Sequence, residues 1–171
     1  MMSNNFLKHI KEEIIGPLTV CINESLRTGI FPDFLKKAKV IPVLKKGDIE
    51  DPSSYRPISI VPVFSKLYKT LIKIQLCDYF EQNNIFAVKQ HAFREGFSTT
   101  TAICNLVEHI LRAFEERSAL LSVFLDLTKA FDCVKLETLI EKLQYLGICN
   151  HELKLIVSYL SNREQCIVLH G

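Results

Sequence analysis

Residues 120–134 read LLSVFLDLTKAFDCV, and the rest of the chain is arranged around them. The first six residues are almost all apolar, which predicts a strand buried on both faces of a sheet. A carboxylate, Asp126, follows where that strand ends. The end of a central strand is a rigid place from which to present a ligand to a cleft. A carboxylate in such a place needs a compensating charge or hydrogen bonds, and a divalent cation supplies the first. On local evidence alone, capping of the next short helix is the readier role for Asp126, and the rest of the chain reverses that order. Five residues on, Phe131 is placed to close the same cleft with an aromatic wall.

The chain has 171 residues, 48% hydrophobic and 23% charged, which is globular and not disordered composition. Its net charge of +2 favours no partner. The distribution is more informative. Residues 36–69 carry eight basic side chains (Lys36, Lys37, Lys39, Lys45, Lys46, Arg56, Lys66, Lys69) against three acidic ones, Asp48, Glu50 and Asp51. That excess fits a phosphate-rich partner, or equally a solvated face. The six cysteines are widely spaced and form no Cys-x-x-Cys. Most lie in apolar patterns, so they read as reduced core residues of an intracellular protein, without a local zinc site. No signal or transit peptide opens the chain, and no apolar run is long enough to span a membrane.

In chain order, Asn4 or Asn5 caps a first helix that Gly16-Pro17 breaks, and a second helix runs from Pro17 to a stop at Gly29. Residues 38–44 (AKVIPVL) read as a strand, with Pro42 favouring an edge position. Residues 45–57 (KKGDIEDPSSYRP) form the main loop, where Gly47 allows a reversal that brings Lys45 and Lys46 near Arg56. A planar guanidinium with an ammonium suits a triphosphate; the alternative is that Arg56 pairs with Asp51. Phe64, Leu67, Leu71 and Ile74 mark a helix that Asn83-Asn84 ends. Ser98 or Thr99 caps another, with Ile103, Leu106, Val107, Ile110, Leu111 and Phe114 on one face. Two more helices follow, one stopped by Gly147 and one capped by Asn150. Residues 165–169 (QCIVL) begin a strand. Helices and strands are mixed with no linker between them, an α/β (α+β) chain. Ending just inside a strand suggests a fragment.

Four stretches in order resemble the reverse transcriptases of non-LTR (LINE-type) retrotransposons. They are residues 29–48 (GIFPDFLKKAKVIPVLKKGD), 55–69 (YRPISIVPVFSKLYK), 90–99 (QHAFREGFST) and 124–134 (FLDLTKAFDCV). A fifth, residues 158–163 (SYLSNR), resembles the family's segment after the catalytic aspartate strand. The resemblance implies a partial right-hand polymerase fold, with fingers over about residues 1–115 and the start of the palm over about 116–171. It implies an RNA-directed DNA polymerase that adds deoxynucleoside triphosphates to a DNA primer on an RNA template. Magnesium is implied as a pair of ions, with manganese as a possible substitute. Asp126 matches the family's first metal-binding aspartate, and Leu127 offers a backbone carbonyl to the same ion. Phe131 matches the aromatic gate that excludes a ribose 2′-OH. Arg56, with Lys45 or Lys46, matches the triphosphate contacts. Gln90, Phe93 and Arg94 match a loop beside the template, while Asp132 is read as structural.

The chain departs from the family twice. Ala92 stands where the family usually has glycine, which strains the loop if that position needs positive φ. No two aspartates are adjacent anywhere in these residues, so the family's second metal motif is expected downstream of Gly171. One aspartate cannot fix two ions roughly 4 Å apart, and the 171 residues alone are expected to be inactive. A nucleic-acid-binding remnant without chemistry is the competing expectation. A haloacid-dehalogenase-like phosphotransferase fits poorly, because position 128 is Thr in place of the second aspartate of Asp-x-Asp-x-Thr.

Overall fold

The computed structural model describes residues 9–127 and 130–167. The expected cap at Asn4 or Asn5 and the end of the last strand lie outside those residues. Helices and strands follow in this order: α1 (Lys11–Thr28), β1 (Lys37–Leu44), β2 (Tyr55–Ile60), α2 (Val63–Gln82), α3 (Thr99–Glu115), α4 (Leu136–Tyr145), α5 (Asn150–Leu160) and β3 (Glu164–Ile167). Two compact units result, one from residues 1–72 with 135–171, the other from 73–134. Among the described residues, no helix is long and apolar enough to cross a membrane.

The first unit holds the sheet, in the order β2–β1–β3. β1 and β2 are antiparallel, with Val43 opposite Arg56 and Pro42 opposite Pro57. The Lys45 N–H bonds to the Ser54 carbonyl at 2.8 Å and extends the ladder by one rung. Rungs alternate in an antiparallel pair, so the two prolines fall at a position where neither N–H is needed. β3 runs parallel to β1 over Lys37↔Glu164 to Val40↔Ile167. β1 is therefore the middle strand, not the edge strand that Pro42 suggested; among the described residues the edges are β2 and β3.

The core of this unit forms around Phe31, whose side chain is fully buried with Leu35, Tyr68 and Leu155. Tyr68 and Tyr159 meet the Phe31 ring edge-on, at centroid distances of 5.4 and 5.0 Å. The Tyr68 hydroxyl lies 3.2 Å from the Ser25 hydroxyl, and the Phe31 N–H donates to Ser158 Oγ at 3.0 Å. Gly29 ends α1 in the left-handed conformation, φ 67°. A Cβ there would lie 2.9 Å from the His151 carbonyl oxygen, so α5 packs where only glycine leaves room.

Three expectations are corrected here. Gly16-Pro17 does not divide the first helix; α1 is continuous, with Pro17 inside it. Pro17 cannot donate to the Glu13 carbonyl, but this part of α1 is exposed, so water can take the orphaned acceptor. The cap of α5 falls on Cys149, not on Asn150, which is itself left-handed at φ 51°. Five of the six cysteines are exposed and Cys77 is half-buried, so their apolar sequence neighbours do not bury them; all six are free.

In the second unit α2 ends at a left-handed Asn84, as its two asparagines predict. Ser98 caps α3 in a reciprocal box with Thr101. The largest correction lies beyond. Residues 120–127 form no strand, and Leu121, Phe124 and Leu125 are 80–88% exposed. An apolar run becomes a buried strand only where neighbours take its N–H and C=O groups. Among the described residues this unit contains no strand to do so, and the three-stranded sheet pairs elsewhere.

Candidate active site

In the first unit the hairpin joining β1 to β2 carries the basic residues. Gly47 turns the loop at φ 116°, with Ser54 Oγ 2.5 Å from where a Cβ would stand. The register places Lys45 opposite Ser54 and Val43 opposite Arg56, so Lys45 and Arg56 project from the same face as diagonal neighbours. Both are exposed, as is Lys46. Arg56 does not pair with Asp51. Asp51 instead accepts from the Ser53 hydroxyl and the Ser53 N–H, which hold its carboxyl below the usual range. Among the described residues, neither Lys45 nor Arg56 makes a side-chain ion pair. Two other cations of the basic stretch are paired: Lys36 is buried against Asp33 at 2.8 Å, and Lys37 meets Glu164 at 3.0 Å.

In the second unit residues 83–98 fold around Arg94. Its Nε and Nη2 donate to the two carboxylate oxygens of Glu81 at 2.9 and 2.8 Å. Its Nη1 donates to the carbonyls of Ala87 and Gln90 at 3.2 and 3.4 Å. The guanidinium carbon lies 5.1 Å from the centre of Phe86 and 4.4 Å from that of Phe97, so the cation sits between two rings. The arrangement leaves the Arg94 side chain 12% exposed. Gln90 turns back on its own loop, donating to the Ala92 carbonyl at 3.2 Å. His91 Nδ1 lies 2.8 Å from Thr101 Oγ1, tying the loop to the cap of α3. The Thr101 hydroxyl also donates to the Ser98 carbonyl at 2.8 Å.

Ala92 does not take positive φ. Phe93 does, at 63°, with its ring 73% exposed. That ring meets Phe131 edge-on, 6.3 Å between centroids and 82° between planes. Asp126 and Leu127 lie in the exposed stretch before it. They offer one carboxylate and one carbonyl, hard oxygens that suit magnesium. Among the described residues, no group of three or more His, Cys, Asp or Glu is placed to hold a metal ion. The described residues do not by themselves make a site for one ion, still less two.

Gln90, Phe93 and Arg94 are thus gathered with Phe131 in one unit, and Lys45, Lys46 and Arg56 on one hairpin of the other. Sequence reasoning missed Glu81, Phe86 and Phe97, which position Arg94. The trace in the sequence is a loop arginine with aromatic residues near it; nothing there pairs that arginine with Glu81.

The family model described as "Reverse transcriptase (RNA-dependent DNA polymerase)" matches residues 43–170, a span that includes the hairpin, the Arg94 loop and Asp126. The chain is 37% identical over 144 residues to a probable RNA-directed DNA polymerase from transposon BS of Drosophila melanogaster, covering 84% of this chain and 16% of that protein. It is 33% identical over 135 residues to the probable RNA-directed DNA polymerase from transposon X-element of the same species, covering 78% of this chain and 15% of the relative. A polymerase from the mobile element jockey of Drosophila funebris is 28% identical and is matched across 100% of this chain, which spans 19% of it. The chain belongs to the reverse transcriptase family, among the polymerases of non-LTR retrotransposons.

Proposed function

We propose that this chain forms part of an RNA-directed DNA polymerase, contributing fingers over about residues 1–115 and the start of the palm over about 116–171. The reaction is template-directed addition of deoxynucleotides to a primer 3′-OH. The observation that carries this reading is the pair of unneutralised cations, Lys45 and Arg56, on one face of the β1–β2 hairpin. Such a pair offers a fork and a point charge to the oxygens of a triphosphate. Lys46 beside them adds charge to the same loop. Gln90 and Phe93 border the template, and Phe131 faces the sugar.

Asp126 is the carboxylate that this chain supplies to the reaction. Its 171 residues contain no adjacent aspartate pair, and they cover 15–19% of the length of the relatives above. Phosphoryl transfer with two ions needs more carboxylates than Asp126 alone. The 171 residues should therefore give no primer extension, whereas a longer chain that continues through an Asp-Asp motif should extend a DNA primer on RNA. The second reading is a remnant that holds nucleic acid without chemistry. Salt-dependent RNA binding with no extension by the longer chain supports the remnant and rejects the polymerase.

A further inference from the structure

Arg94 is too committed to act as a free cation. Glu81 neutralises it, Phe86 and Phe97 cover its faces, and two backbone carbonyls take its remaining fork. The neighbouring residue is the unusual one. Phe93 is a bulky aromatic in the left-handed region, which persists only where its surroundings fix it. The fixing groups lie on both sides of it in sequence: the Arg94 side chain grips the carbonyls of Ala87 and Gln90, and Phe97 lies under the Arg94 guanidinium and meets the His91 ring edge-on. Held this way, Phe93 points its ring outward against Phe131, which is itself 80% exposed.

We propose that Arg94 is a positioning residue: through the Glu81 clamp and the left-handed Phe93 it sets where the Phe131 ring stands. This deepens the polymerase reading and rests on it in one respect, that Phe131 faces the sugar of the incoming nucleotide. Losing the clamp lets residue 93 relax to negative φ, swings its ring away, and removes the contact that steadies Phe131. The consequence is a looser fit around the sugar, so that discrimination against ribonucleotides depends on a residue that touches no nucleotide.

The test uses the 171-residue chain with para-fluorophenylalanine at position 131, read by fluorine NMR, with a second sample labelled at position 31 as a control in the other unit. Phe93→Leu gives the resonance position of the lost contact. Arg94→Ala, and the milder Glu81→Gln and Arg94→Lys, should move the position-131 signal toward that value while the position-31 signal stays. If Arg94→Ala does not fold, the two milder variants decide the matter. A position-131 signal unmoved by the clamp variants overturns the proposal, and so does one unmoved by Phe93→Leu. In a longer chain that extends primers, Arg94→Lys should lower deoxynucleotide-over-ribonucleotide preference about two- to tenfold, the worth of one aromatic pair. Preference unchanged there, with the fluorine signal shifted, overturns the link to selectivity. A longer chain that extends nothing overturns the polymerase reading instead, and leaves the fluorine result to judge the clamp.

Discussion

Arg94 and Glu81 meet fork to fork, Nε to Oε1 at 2.9 Å and Nη2 to Oε2 at 2.8 Å, across thirteen residues of sequence. The pair ties the end of α2 to the loop that follows it, which is also tied to α3 through Lys89 and His109 at 3.4 Å and through His91 and Thr101 at 2.8 Å. The hydrogen bonds from Arg94 hold the Glu81 carboxyl below its ordinary value of 4.5 and raise the guanidinium above its own. A carboxyl with a lower pKa folded than unfolded stabilises above the unfolded value and loses that contribution as pH falls through the folded one. Amide protection of residues 83–98 should therefore be constant near neutrality and fall as the solution is acidified below about pH 4.5. Glu81→Gln should remove that acid step and lower protection at neutral pH.

Arg56 stands exposed on β2 with no ion-pair partner among the described residues. Arg56→Ala should leave the melting temperature of the 171-residue chain nearly unchanged, a surface substitution worth within about 0.5 kcal/mol. In a longer, active chain the same change should raise the nucleotide KM about ten- to a hundredfold, from a charge-assisted contact of roughly 1.5–3 kcal/mol. Loss of stability with an unchanged KM would make Arg56 a structural residue.

Phe31 is the packing centre of the first unit, fully buried between two tyrosine rings. Phe31→Ala should cost about 3–5 kcal/mol in urea unfolding, the usual loss for a buried phenylalanine. Tyr68→Phe keeps the ring and removes the contact to Ser25, so it should cost only about 1 kcal/mol. Equal costs would mean that the Ser25 contact, not ring packing, holds α1 to α2.

Gly29→Ala combines two penalties, a left-handed backbone and a Cβ 2.9 Å from the His151 carbonyl oxygen. It should destabilise by about 1–3 kcal/mol. A neutral result would show that α5 can shift away from the end of α1.

Local signals proved legible at four chain reversals and caps. Gly47 announces the hairpin turn, Gly29 the end of α1, Asn84 the end of α2, and Ser98 the cap of α3. Features that need a distant partner were not legible. Nothing near Arg94 in sequence says that Glu81 will neutralise it. Residues 120–125 read as a buried strand because a nearly continuous apolar run records what a segment is able to bury against, and the described part of this chain gives it no neighbouring strand. Pro17 read as a break because the pattern does not reveal that solvent takes the orphaned carbonyl. The candidate site divides in the same way: the residue types and their order were readable, while the clamp that orients the Arg94 loop was not.

The most direct test of the account replaces one atom pair. In a longer chain continued through an Asp-Asp motif, Asp126→Asn keeps the size of the side chain and removes its charge. Primer extension on an RNA template should be lost with either magnesium or manganese, while template binding and melting temperature stay close to those of the unchanged chain. Extension that persists in Asp126→Asn at a comparable rate would contradict the account, because the carboxylate that this chain supplies to the reaction would then not be the one at position 126.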